Sequence, residues 1–207
     1  MSRREREFRE VVEGYEYDGR TEIGRGGFGV VYKGREKTSK NPVAMKQILL
    51  SSTKPHFEKA REEARKEIKI AQKIREHTNI LNTIKTAEVD GLDHVGLPNV
   101  TIWIVTTLCS LGNLAQYAMK YMLTLPHVVY IMKQVASGLS FLHNSDPPIM
   151  HLDIKPGNTL FALENGEHVV KLSDFGLSRE YVSEASVTTW TVAGTTLYLP
   201  PECLKEG

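Results

Sequence analysis

Six residues, Gly24-Arg25-Gly26-Gly27-Phe28-Gly29, constrain this chain most, because of what stands on either side of them. Residues 21–23 before them and Val30-Val31-Tyr32-Lys33-Gly34 after them are both β-like runs, so the glycines turn a hairpin. A dinucleotide-binding fold needs a helix straight after the same glycine spacing, and the run at Val30 argues against a dinucleotide-dependent oxidoreductase. Without a Cβ in the way, backbone N–H groups at the glycines can approach phosphates. The spacing alone is weak evidence, since an ordinary structural turn has it too. The next segments add weight: a polar turn over 37–42 and a third run, Val43-Ala44-Met45-Lys46-Gln47-Ile48. An ammonium on an apolar strand calls for an anionic partner, because burying it unpaired is costly. A snorkelling surface lysine is the plainer alternative.

Helical spacing of Ile68, Ile70, Ala71 and Ile74 among charged residues predicts a helix over 56–76. Within it Glu67 is the first candidate to meet Lys46 and Glu63 the second, although either could be a solvated helix charge. Two strands are expected over 80–89 and 100–106, separated by a loop over 90–99, and then helices over 114–122 and 128–143. In the second helix Val129, Met132, Val135, Leu139 and Leu142 form one apolar stripe. Asn165-Gly166 marks a tight hairpin between Leu160-Phe161 and the run at Val169. Residues 1–18 alternate charges with few large apolar groups and read as a solvated tail or short exposed helix.

Between the second helix and that hairpin lies His151-Leu152-Asp153-Ile154-Lys155-Pro156-Gly157-Asn158. An Asp can take the proton of an attacking hydroxyl, a Lys can meet phosphate charge, and an Asn can ligate Mg²⁺. After the hairpin, Ser173-Asp174-Phe175-Gly176 puts a second carboxylate where an apolar strand ends. A turn-forming Asp is the simple reading of it. Asn158 and Asp174 together would give the hard oxygen ligands that Mg²⁺ prefers. His151 reads as a packed, hydrogen-bonded ring, since the neighbouring Asp suits the proton-accepting role.

Composition adds exclusions. A net charge of +1 offers no broad footprint for nucleic acid or anionic lipid. Cys109 and Cys203 form neither a disulfide framework nor a metal-ligand pattern, which fits a reducing compartment. No signal peptide is visible and no apolar run is long enough to cross a bilayer, so a cytoplasmic protein is expected, with access to the nucleus left open.

In order, the chain carries a glycine-rich loop, a strand Lys, a helix Glu, Asp-x-Lys-x-x-Asn, Asp-Phe-Gly and Pro-Pro-Glu, and over about residues 20–205 it resembles a eukaryotic-type protein kinase. The resemblance implies an α+β bilobal fold: a tail over 1–18, a complete β-rich N-lobe over 19–107 and a partial helical C-lobe over 108–207. It implies that Lys46 pairs with Glu67 and the ATP phosphates, that Asp153 is the catalytic base, and that Lys155 contacts the transferring phosphate. Mg²⁺ would be held by Asn158 and Asp174. ATP would lie against Ile23, Gly24, Gly26, Gly29, Val31, Ala44 and Leu160, with Thr106 as gatekeeper and Thr107 to Cys109 as the adenine-binding hinge. Lys155 and Gly194-Thr195 point, within the family, to a Ser or Thr acceptor on a protein substrate. A nucleotide-binding scaffold with little phosphotransfer is the alternative.

Three departures from the family pattern matter. Leu152 replaces the usual Arg and cannot receive an activation-loop phosphate, so dependence on phosphorylation at Ser186, Thr188, Thr189 or Thr191 is expected to be weak. Pro200 replaces Ala before Pro201-Glu202, a mild change. The helices that come next in the family are absent from this sequence, so apolar faces on the C-lobe helices are expected to be exposed or covered by a partner.

Overall fold

The computed structural model describes residues 8–26, 29–74, 76–92, 96–182, 195–199 and 201. It divides into two compact units, Met1–Ile68 with Asn82–Leu108, and Lys69–Leu81 with Cys109–Gly207.

The first unit is built on one antiparallel sheet of β1 (Arg9–Val12), β2 (Tyr15–Gly26), β3 (Gly29–Glu36), β4 (Pro42–Ser51), β5 (Thr83–Leu92) and β6 (Pro98–Thr107), in the order β1-β2-β3-β4-β6-β5. The glycine-rich segment joins β2 to β3, strand to strand, with Gly26 opposite Gly29. Side chains alternate across a strand, so β4 serves two cores at once. Val43 and Met45 face a cluster with Val12, Trp103 and Val105, roofed by Tyr15, Tyr17 and Tyr32. Ile48 and Leu50 face the other way, onto Ala64, Phe57 and Ile68 of α1 (Phe57–Lys73), together with Ile102 and Ile104. Glu58 in the first turn of α1 and Lys73 in the last complement the helix dipole.

The second unit holds α2 (Leu114–Lys120), α3 (Leu125–His143), and two-stranded pairs of β7 (Ile149–Met150) with β10 (Arg179–Glu180) and of β8 (Thr159–Glu164) with β9 (Glu167–Leu172). Asn113 caps α2 with a reciprocal bond pair to Gln116, both at 3.0 Å. The Asn165-Gly166 turn has both residues at positive φ, 51° and 83°, as a tight hairpin turn requires. The core gathers Ile70, Ile80, Ile131, Val135, Leu142, Phe161, Val170, Leu172 and Phe175.

Several expectations need correction. Residues 9–12 and 15–18 are strand, not a solvated tail, because Val12 and Asp18 are buried and β1 pairs with β2. The unit boundary does not keep residues 69–81 with the sheet: Ile70 and Ile80 pack in the second core, and Leu81 N–H donates to Leu172 O at 2.9 Å. Strands β5 and β6 run further than expected at their shared hairpin end, to Leu92 and from Pro98. Helix α3 starts at Leu125, because Pro126 is tolerated in a first turn. Its buried line is Ile131, Val135, Gly138 and Leu142, whereas Val129 and Met132 of the expected stripe are exposed. With Met119, Leu125 and Met122, the last in the link between the helices, they leave apolar side chains of α2, α3 and that link in solvent. No helix among the described residues is long and apolar enough to cross a membrane.

One glycine of the loop is required by the sheet itself. Gly29 has φ +129°, and a Cβ there would stand 2.2 Å from Gln47 O. A Cβ on Gly26 would meet nothing within 4 Å. Gly29→Ala is therefore expected to cost more than about 1 kcal/mol in urea unfolding, and Gly26→Ala less than about 0.5 kcal/mol. Equal costs would contradict the assignment.

Candidate active site

In the first unit, Val31 pairs with Lys46, Lys46 with Ile104, and Ala44 with Thr106. Directly opposed residues share a face, so Val31, Ala44, Lys46 and Thr106 all stand on the side of the sheet that Ile48 presents to α1. Lys46 Nζ meets Glu67 Oε1 at 2.6 Å, with side chains only 16% and 7% exposed. Glu67 shares its helix face with the buried Ala64 and Ala71, whereas Glu63 bonds to Lys66 at 3.2 Å. Helix phase thus chooses between the two candidates. Ile23 and Gly24 lie on β2, with Gly24 opposite Val31. Thr107 ends β6, its N–H donating to Asn82 O at 3.3 Å.

In the second unit the Asp153 carboxylate is the centre of a hydrogen-bond cluster. Lys155 Nζ donates to Oδ2 at 2.6 Å and Asn158 Nδ2 to the same oxygen at 2.8 Å. Oδ1 accepts from Thr195 Oγ1 at 3.0 Å and from Thr195 N at 3.3 Å. Lys155 Nζ also donates to Thr195 Oγ1 at 2.7 Å, closing a ring of three side chains. Burial opposes ionisation of Asp153, but the bonds from Lys155 and Thr195, the Lys155 charge and the bond from Asn158 outweigh it. The net effect holds its pKa below the usual aspartate value, so the carboxylate is ionised at neutral pH.

Asn158 Nδ2 also donates to Asp153 O at 2.9 Å, which fixes the amide and turns Oδ1 away from Asp153. Ser173 N and Oγ both donate to Asn158 O at 3.0 Å, tying the residue before Asp174 to Asn158. Asp174 takes a left-handed backbone with φ 65°, a conformation Asp tolerates. An amide oxygen and a carboxylate are hard donors, and Mg²⁺ takes one or two such groups and completes its shell with water and phosphate. Among the described residues no group of three or more His, Cys, Asp or Glu is arranged so that it could hold a metal ion.

Two residues beneath the loop position it. Asp153 N–H donates to His151 Nδ1 at 3.3 Å, so Nε2 carries the ring proton and donates to Ser173 O at 3.1 Å. Ser178, fully buried, donates to His151 O at 3.1 Å. Leu152, between them, is held at φ 63°, which costs an L-residue about 1–2 kcal/mol. Leu160 bridges to Asn113 across an isolated antiparallel contact. Burial pushes the Cys109 thiol up to about 12, which removes it as a nucleophile at neutral pH. The bonds of Thr195 to Asp153 were not foreseeable, because they join residues 42 apart. Gly27, Phe28, Ser186, Thr188, Thr189, Thr191, Gly194, Pro200, Glu202 and Cys203 lie outside the described residues.

Burial lowers the pKa of His151 despite the Ser173 bond and the charges of Asp174 and Asp153, which pull the other way. The unfolded chain therefore binds a proton near pH 6.5 that the folded ring refuses, and stability falls as pH drops through that range. The slope is at most about 1.4 kcal/mol per pH unit for one proton, and His77, also lowered chiefly by burial, adds to it. Urea unfolding between pH 7 and 5 should show a shallower slope in His151→Gln than in the unmodified chain; an unchanged slope would contradict the neutral, buried ring.

A profile of the protein kinase domain matches residues 17–207. The chain is 32% identical over 203 residues to probable cyclin-dependent kinase 9 of Caenorhabditis elegans, covering 91% of this chain and 39% of that protein. It is 31% identical to serine/threonine-protein kinase atg1 of Dictyostelium discoideum, covering 88% and 26%. It is 30% identical to human cyclin-dependent kinase 9, covering 91% and 49%. The chain thus spans at most about half the length of these relatives. With the motifs in family order and the profile running through both units, the chain belongs to the protein kinase family.

Proposed function

We propose that this chain transfers the γ-phosphoryl group of ATP to Ser or Thr hydroxyls of protein substrates. The observation that carries the reading is the Asp153 carboxylate, ionised and aimed by Lys155, Asn158 and Thr195. In the reaction the acceptor oxygen attacks the γ-phosphorus, the bond from phosphorus to the ADP oxygen breaks, and the hydroxyl proton goes to an Asp153 oxygen. A carboxylate with a depressed pKa accepts that proton only as the new bond forms, so Asp153 acts mainly by orienting the hydroxyl. Lys155, already beside that carboxylate, is the cation for the transferring phosphoryl oxygens. Lys46, held by Glu67, is a second cation, for the phosphates of ATP. Gly26, whose missing Cβ the sheet does not require, is where backbone can approach a phosphate. Bound Mg²⁺ would neutralise phosphate charge, with Asn158 and Asp174 as its protein ligands.

A Ser/Thr acceptor is supported by Lys155 and by its bond to Thr195, and by relatives whose names describe serine/threonine kinases. The test is Mg-ATP phosphotransfer to a generic Ser/Thr peptide. Asp153→Asn should lower kcat by about 100-fold or more while ATP still binds. Transfer that survives Asp153→Asn unchanged would reject the assignment.

A further inference from the structure

We infer that strand β1 closes the sheet of the first unit into a brace for the nucleotide-binding strands, with Val12 and Lys85 as the positioning residues. The inference rests on the kinase reading above, because the nucleotide it concerns is ATP.

The edge strands β1 and β5 stand at opposite ends of the order β1-β2-β3-β4-β6-β5. In a flat sheet of that order they would lie about 24 Å apart, at about 4.8 Å per strand. Here they meet. Lys85 Nζ on β5 donates to Glu13 O at 3.1 Å and to Glu13 Oε2 at 2.9 Å, directly after the end of β1. The bond from Lys85 holds the Glu13 carboxyl below the usual glutamate range. The sheet therefore curls until its first and last strands are joined, and Val12 enters the space so enclosed. Val12 is 2% exposed and packs with Val43, Met45, Trp103 and Val105. Three further contacts seat the hairpin of β1 and β2. Lys37 N–H donates to Gly14 O at 2.8 Å, Lys37 Nζ meets Glu10 Oε2 at 2.5 Å, and the Arg35 guanidinium lies 3.5 Å from the centre of the Phe8 ring.

Alternation along the strands carries this closure to the candidate site. On β4, Val43 and Met45 line the enclosed side, and Ala44 and Lys46, the residues that follow them, stand on the other. On β6, Val105 lines it and Thr106 comes next; on β3, Tyr32 lines it and Val31 comes before. Val31, Ala44, Lys46 and Thr106 are thus each one peptide away from a residue packed in the closure. In a close-packed interior a shift of one side moves the other. Small misplacements of binding groups weaken a ligand that the shifted residues never touch.

The test is isothermal titration calorimetry with Mg-ATP, at a temperature where urea unfolding shows every variant folded. Lys85→Met keeps the aliphatic stem and removes both bonds to Glu13, and Val12→Ala removes the packing. Each should raise the Mg-ATP Kd about threefold or more. Lys40→Met removes the same charge from an exposed pair with Glu16 that joins no edges, and should change the Kd by less than about 1.5-fold. A role in stability alone would lower the urea midpoint and leave the Kd of the folded chain unchanged. That result, an equal rise in Lys40→Met, or no detectable Mg-ATP binding at about millimolar concentration would each overturn the inference. If Val12→Ala does not fold, Lys85→Met decides alone. Because binding is the readout, a chain that bound Mg-ATP with this pattern but transferred no phosphate would refute the kinase reading and leave the brace standing.

Discussion

The Asp153 carboxylate organises the second unit's chemistry. Four donors converge on its two oxygens, from Lys155, Asn158 and both polar groups of Thr195. A carboxylate buried to this degree is tolerated only because those bonds replace water. The same bonds do three further things. They hold Asp153 ionised, they turn the Asn158 amide so that its oxygen points elsewhere, and they seat Thr195 at the head of the 3-10 turn Thr196–Tyr198. Below, the neutral His151 ring reads the backbone on both sides, accepting from Asp153 N and donating to Ser173 O. One ring therefore ties the Asp153 segment to the segment that leads into Asp174.

The first unit has a comparable fixed point in the Lys46–Glu67 pair. A buried ion pair is a poor source of net stability, since desolvation offsets most of the attraction. Its value is specificity: α1 must present Glu67, and not Glu63, to the strand that carries Lys46. Packing of Ala64, Ile68 and Phe57 against Ile48 and Ile102 sets that helix phase. The glycine-rich hairpin is likewise shaped by the sheet, because Gln47 O leaves no room for a side chain at Gly29.

Much of this was legible in the sequence where the signal is local. The Asn165-Gly166 hairpin comes from two residues that accept positive φ, and the strand after Gly29 from three consecutive β-formers. The polar sets 153–158 and 173–174 were visible because their spacing is short. Strand β1 was hidden by its charges, since Arg9 and Glu10 mask the apolar signal of a strand only four residues long. The buried line of α3 was misjudged because that helix is apolar on more than one side, and only Gly138, whose Cβ would lie 2.9 Å from Asn79 O, marks the packed face. The anchoring of Thr195 on Asp153 joins residues far apart in the chain, and no periodicity encodes such a contact.

The most direct measurement of the central claim is the pKa of Asp153 itself, followed by carboxyl ¹³C NMR in the unmodified chain and in Lys155→Ala. The convergence of donors predicts titration below the usual aspartate value near 3.8, and an upward move when the ammonium is removed. An Asp153 that titrates at or above the usual value in the unmodified chain, or that is indifferent to loss of Lys155, would contradict the account.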